Sequence, residues 1–309
     1  MKRMVFSLIK SFLVLILLNG CQTHQENQDA NLDSFEKGQL IIGAKGFTEQ
    51  LILLKITSIY LRENGFDVEE ISNMRSSDLR SALENGHIDL YWEYTGTALM
   101  LYLNQEGETD PTTAYEKVKN LDQENEIDWL NKSEFNNTYA ILVRKEFSEK
   151  YEIESISDLA QFINDGEKLK FASETEFYDR NDGLKGLENK YNFYLPSEDI
   201  IQLDSKLTYH ALKEGEVDAI VGFVTDGSIQ EYNLVLLKDD QTFFPAYNAV
   251  PTVGKRVLEK HEELIDLLND IADRLNTDTM MKLNYDVDIK HKDPLEISRQ
   301  WLESEGLLK

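Results

Sequence analysis

Ala82-Leu83-Glu84-Asn85-Gly86-His87-Ile88-Asp89 runs on through Leu90-Tyr91-Trp92-Glu93 into Tyr94-Thr95-Gly96-Thr97. The chain says nearly the same thing again 129 residues later. That copy is Ala211-Leu212-Lys213-Glu214-Gly215-Glu216-Val217-Asp218, followed by Ala219-Ile220-Val221-Gly222 and Phe223-Val224-Thr225-Asp226-Gly227. Each copy reads as a helix end, a glycine stop and a buried strand that carries one aromatic ring into a polar turn. Two such halves suggest two lobes closing on one ligand.

Working outward, the folded part begins with a strand at Gln39–Ala44, then a helix through Tyr60 for which Thr48 is the expected N-cap. A strand near Phe66–Ile71, a helix from about Ser77 and the strand Ile88–Trp92 complete a βαβαβ pattern. Residues 110–130 read as a peripheral helical segment, and Asn136–Val143 as a strand leaving the first lobe. A second series follows, with helices near 156–163 and 183–191, strands near 169–172 and 200–203, the second copy of the motif, and a strand at 234–237. Phe243–Val250 would then cross back, and residues 257–306 are mostly amphipathic helix. This alternation predicts an α/β chain with parallel sheets and helices on both faces. Its two lobes would be 39–139 with 246–309, and 140–245, joined by two crossovers as in a hinge.

The chain has 309 residues and a formal charge of −25, so it lacks the basic footprint that nucleic acid requires. Its single cysteine, Cys21, follows a short apolar run, Ser11–Leu18, preceded by Lys2, Arg3 and Lys10. That run is too short to span a bilayer, which takes about 20 residues, and reads as a signal peptide over 1–20. Leu18-Asn19-Gly20-Cys21 resembles a bacterial lipobox, in which cleavage frees the cysteine for lipid; Asn19 departs from the usual small residue. Residues 21–38 are polar and aperiodic, a flexible tether. The expected location is the extracytoplasmic face of a membrane.

No catalytic signature is present: no Gly-x-Ser-x-Gly, no phosphate-cradling loop, no His-Glu-x-x-His. The five histidines are scattered, and neither a metal nor a cofactor is called for. Polar turns at strand ends carry more information, because ligands in open α/β sheets bind outside the carboxyl ends of the strands. Those ends offer Lys45, Gln50, Tyr94 with Thr97, Tyr139, Arg180, Phe223 and Tyr247. Ring faces attract a quaternary ammonium, while Arg, Lys and Thr suit a carboxylate. A zwitterion such as a betaine needs both. An amino-acid binder on the same fold and an extracellular enzyme remain the alternatives.

Four blocks carry a family resemblance: Ile41–Gln50 (IIGAKGFTEQ), Tyr91–Thr97 (YWEYTGT), Asn136–Ala140 (NNTYA) and Phe243–Tyr247 (FFPAY), with Leu283-Asn284-Tyr285-x-Val287 in the tail. In combination they resemble the substrate-binding lipoproteins of ABC importers for the osmoprotectants glycine betaine, carnitine, choline and proline betaine. The resemblance runs from about residue 39 to the C-terminus. It implies a type II periplasmic-binding-protein fold and a non-enzymatic receptor that hands its ligand to a permease driven by a cytoplasmic ATPase. It also implies an ammonium cage of Tyr94, Tyr139, Phe223 and Tyr247, with Tyr94 and Phe223 as opposite walls. Lys45, Thr97 and Arg180 would meet the carboxylate, with Gln50 and Asn137 nearby. The family usually has tyrosine at the position of Phe223, and some relatives have aspartate at that of Asn137.

Overall fold

The computed structural model describes residues 37–308; the signal segment, Cys21 and nearly all of the tether lie outside the described residues. Strand β1 (Gln39–Lys45) leads into helix α1 (Thr48–Glu63), β2 (Asp67–Met74), α2 (Ser76–Glu84) and β3 (Leu90–Tyr94). After a helix at Pro111–Leu121 come β4 (Ile127–Trp129) and β5 (Tyr139–Arg144). The later strands are β6 (Phe171–Ser173), β7 (Ile200–Gln202), β8 (Ala219–Phe223), β9 (Leu234–Leu236) and β10 (Ala249–Gly254). Among the described residues they form two five-stranded sheets, ordered β2-β1-β3-β10-β4 and β7-β6-β8-β5-β9.

The two orders are the same topology, and the motif copies occupy the same place in each. Both glycines take the left-handed region, Gly86 at φ +72° and Gly215 at +77°, where a side chain would be strained. The residue after each glycine donates its N–H back into the helix, His87 to Ala82 O (2.8 Å) and Glu216 to Ala211 O (2.9 Å). The motif aspartates then pin the neighbouring parallel strands. The Asp89 carboxylate accepts from Ile41 N–H (2.8 Å), and the Asp218 carboxylate from Lys170 N–H (3.0 Å). An arginine at or just past the end of the adjacent crossover strand clamps each turn: Arg256, two residues after β10, donates to Ile88 O, and Arg144, the last residue of β5, to Leu212 O and Val217 O.

Those crossover strands correct the expected topology. The sheets are mixed: β10 runs antiparallel to β3 and β4, and β5 antiparallel to β8 and β9. Each arrives from the other lobe rather than through a covering helix, so nothing forces it to run parallel. Hydrophobic runs alone do not reveal strand direction. The segments feeding the two strands lie side by side, with Asn137 N–H donating to Tyr247 O (3.0 Å) and Tyr247 N–H to Asn136 Oδ1 (2.7 Å). Strand β5 accordingly begins at Tyr139 rather than Asn136.

Helix α1 is buried around much of its circumference, including Ile52, Leu53, Leu54, Ile56 and Leu61. It sits between its sheet and the C-terminal helices Thr277–Asp288 and Pro294–Ser304. Its N-cap is Phe47 and has no side-chain cap; Thr48 instead donates to Asp288 Oδ1 at 2.7 Å, so the expected threonine cap is not used. Residues 110–130 are likewise not all helical, since Ile127–Trp129 is the edge strand β4. Asp122 holds that segment down: wholly buried, it accepts both Arg80 Nη groups, Trp129 Nε1 (2.7 Å) and Asn125 Nδ2 (2.9 Å).

Removing one partner of such a pair strands a buried charge. Arg80→Met is expected to lower stability by about 3–5 kcal/mol in urea unfolding; a loss under about 1 kcal/mol would show that water reaches Asp122.

Candidate functional site

Five aromatic rings arrive at one place because four strand ends and one helix start point there. Tyr94 ends β3, Phe223 ends β8, Tyr139 begins β5, and Tyr247 lies two residues before β10. Register sets Tyr139 directly opposite Phe223, with ring centroids 4.8 Å apart, and Tyr247 meets Tyr139 edge-on at 5.4 Å. Gly96 lets Tyr247 close in, since a Cβ there would stand 2.7 Å from the tyrosine ring. Tyr139 packs against the cores of both lobes.

The fifth ring is Phe47, which is not among the expected ligand-binding residues. It stacks on Phe223 at 5.4 Å and 15°, and on Tyr94 at 6.3 Å and 24°. Phe47 thus touches both of the rings expected to form opposite walls. The sequence signal was an aromatic just past the end of β1, in the same kind of position as Tyr94 and Phe223. All five rings line a cavity of about 250 Å³, together with Lys45, Thr97, Asn137, Glu174 and Glu176. That is a volume for a small solute, below the ~300–1,000 Å³ of drug-sized pockets.

Of the nine expected ligand-binding residues, seven line this cavity: Lys45, Tyr94, Thr97, Asn137, Tyr139, Phe223 and Tyr247. Gln50 and Arg180 do not. Gln50 lies behind Tyr94, donating to its hydroxyl (3.1 Å) and to Trp92 O (3.0 Å). Arg180 is buried and already paired, with Asp182 and with Glu176 at 3.5 Å. Lys45 is also paired, with the buried Glu93, and its ammonium lies 5.1 Å from the Tyr94 ring centroid. Glu93 additionally accepts from Tyr94 N–H and from the Tyr102 hydroxyl, both at 2.7 Å.

Glu49, in the first turn of α1, organises the floor. Its Oε1 accepts from the Tyr94 hydroxyl (2.6 Å) and Asn137 Nδ2 (2.8 Å). Its Oε2 lies 2.7 Å from the Thr225 hydroxyl and accepts from Asn284 Nδ2 at 3.3 Å. The Thr225 hydroxyl is also 2.8 Å from Asn137 Oδ1, and its single proton serves one acceptor at a time. One carboxylate thus joins the first lobe, a crossover, the second lobe and a C-terminal helix. Burial pushes its pKa upward, opposed by these donors. In the second lobe, burial raises the Asp226 carboxyl to about 7, although Tyr209 and Phe223 N–H donate to it. Across the cleft mouth, Ser76 N–H donates to Glu176 (3.4 Å) and Arg75 meets Asp179 (3.4 Å).

Each donor orphaned inside a protein costs about 1–3 kcal/mol. Glu49→Leu, which orphans several at once, is expected to destabilise by about 3 kcal/mol or more in urea unfolding. A near-neutral result would mean the donors find other partners.

Residues 38–304 match the family described as the substrate-binding domain of ABC-type glycine betaine transport systems. A glycine-betaine-binding protein of Pseudomonas aeruginosa is 38% identical over 275 residues, 87% of this chain and 88% of that one. The ergothioneine transport permease/ergothioneine binding protein EgtU of Helicobacter pylori is 32% identical over 99% of this chain, which spans only 54% of that protein. A crystal structure named as a glycine betaine/carnitine/choline ABC transporter superposes with a TM-score of 0.70, at 28% identity over 88% of this chain and 99% of that one. The chain belongs to the family of substrate-binding domains of ABC-type glycine betaine transport systems.

Proposed function

We propose that the five-ring box is the binding site for the quaternary ammonium end of an osmoprotectant, with Tyr94, Tyr139, Phe223 and Tyr247 as its cage and Phe47 as a further wall. The single observation that carries this reading is the ring arrangement itself, five ring faces or edges around one small cavity. A trimethylammonium has no N–H to donate, so ring quadrupoles suit it better than hydrogen-bond acceptors do. In this reading Lys45 and Thr97, which line the cavity, and Asn137 attend the other end of the ligand. Gln50 acts through Tyr94. Lys45 and Arg180 are both paired with carboxylates, but only Lys45 lines the cavity, so Arg180 ranks behind it. The protein has no catalytic step; it captures its ligand and delivers it to a membrane permease powered by an ATPase.

A thermal-shift panel of glycine betaine, carnitine, choline and proline betaine tests the ligand class, since bound ligand stabilises by mass action. Ergothioneine joins it because one relative is named for that compound. Amino acids serve as the competing class. Tyr94→Ala and Tyr139→Ala are each expected to weaken the best ligand by about tenfold or more, the ~1–2 kcal/mol of a desolvated cation–π contact. Titration curves identical to wild type for both variants would remove the cage.

We further propose that Cys21 carries the lipid that holds the protein at the extracytoplasmic face of the membrane. Among the described residues no helix is long and apolar enough to cross a bilayer. Cys21→Ala is expected to move the protein from the membrane pellet to the soluble fraction. An unchanged pellet would exclude Cys21 as the anchor.

A further inference from the structure

Glu174, a charged group on the cavity wall, has no role in the proposed function. Glu174 stands between β6 and the short helix Thr175–Asp179, and it lines both the main cavity and the small recess behind Tyr139 and Phe223. Most of its acidic neighbours have partners. Glu49 has its donors, Glu93 has Lys45, Asp226 has Tyr209, and Glu176 has Ser76 N–H and Arg180. Among the described residues no group donates to the Glu174 carboxylate, so its charge, when it ionises, is not balanced by the protein. Asn137, meanwhile, puts a neutral amide into the same cavity.

We propose that Glu174 is the counter-charge for the ligand's ammonium, a specificity residue that makes the box select a permanent cation over an uncharged group of the same shape. This rests on the box being the ammonium site. Rings supply attraction through their quadrupoles, which is modest. A carboxylate in the half-buried wall adds Coulomb attraction, and only a charged ligand can collect it. Without ligand the same group is held at a cost. Burial first, then the charges of Asp226, Glu176 and Asp204, raise its carboxyl to about 8. The cations lining this cavity, Lys45 and Arg75, are engaged by Glu93 and Asp179.

The sign of the linkage follows. With a folded pKa raised above the unfolded value, Glu174 carries its proton near neutral pH and stabilises least where it ionises. A cation bound beside it favours the carboxylate and therefore expels that proton. The test is calorimetry of the full chain with choline and with glycine betaine at about pH 7, in two buffers of different ionisation enthalpy. Wild type is expected to release a measurable fraction of a proton on binding. Glu174→Gln should release markedly less, bind both ligands about tenfold more weakly, and melt at the same or a higher temperature without ligand. Glu174→Asp should retain proton release. The uncharged choline isostere 3,3-dimethyl-1-butanol should bind wild type and Glu174→Gln alike. Equal affinity and equal proton release in wild type and Glu174→Gln would overturn the role of Glu174 while leaving the box intact. If wild type binds neither choline nor glycine betaine and the panel yields only ligands without an ammonium, the box reading itself fails, and this inference with it.

Discussion

A single buried carboxylate ties the molecule together where its parts would otherwise be free to drift. Glu49 gathers the Tyr94 hydroxyl, Asn137, Thr225 and Asn284, which come from the first sheet, a crossover, the second sheet and the C-terminal helices. A carboxylate buried this far from water is unfavourable unless its lone pairs are filled. That requirement sets the relation of the lobes near the cavity: withdrawing Thr225 takes away one of the donors around Oε2. The position of the Tyr94 ring and the approach of the second lobe are thereby linked through one group.

The two lobes are variants of a single plan, and the differences between them concentrate at the site. Sheet order, the left-handed glycine, the aspartate that pins the neighbouring strand and the arginine that clamps the turn all occur twice. Beyond the strands the copies part. After Tyr94, the turn Thr95-Gly96-Thr97 packs under Tyr247. After Phe223, Thr225 turns inward to Glu49 and Asp226 folds back onto Phe223 N–H. Repetition supplies the frame, and divergence of the turns makes the chemistry of the two walls unequal.

Much of the site was legible because aromatic residues at strand ends have few places to go. Alternating strands and helices put the carboxyl ends of the parallel strands on one side, which made Tyr94 and Phe223 readable. Tyr139 and Tyr247 join them from the amino ends of β5 and β10, which lie on that same side because those strands run antiparallel. Arg180 looked like an equally good candidate, but a cation's availability depends on who else reaches it. Asp182, two residues away, takes two of its nitrogens. Phe47 and Glu49 went unassigned although they sit in a distinctive block. A phenylalanine before a helix usually serves packing, and an acid in the first turn usually faces water.

Local sequence was sufficient for whatever depends on neighbours along the chain: the helix stops at Gly86 and Gly215, the buried strands that follow, the α/β alternation and the rings at their ends. Tertiary structure alone decided what depends on distant partners. Thr48 gives its hydroxyl to Asp288 rather than capping its helix, Glu49 finds Thr225 across 176 positions, and β5 and β10 enter their sheets antiparallel. It also decided that Phe47 stacks on both Tyr94 and Phe223 and that Glu174 meets the cavity with no donor among the described residues. The reason is physical. Backbone propensity and apolar periodicity act over a few residues, whereas pairing of buried polar groups and rings is settled by which surfaces the packed sheets bring together.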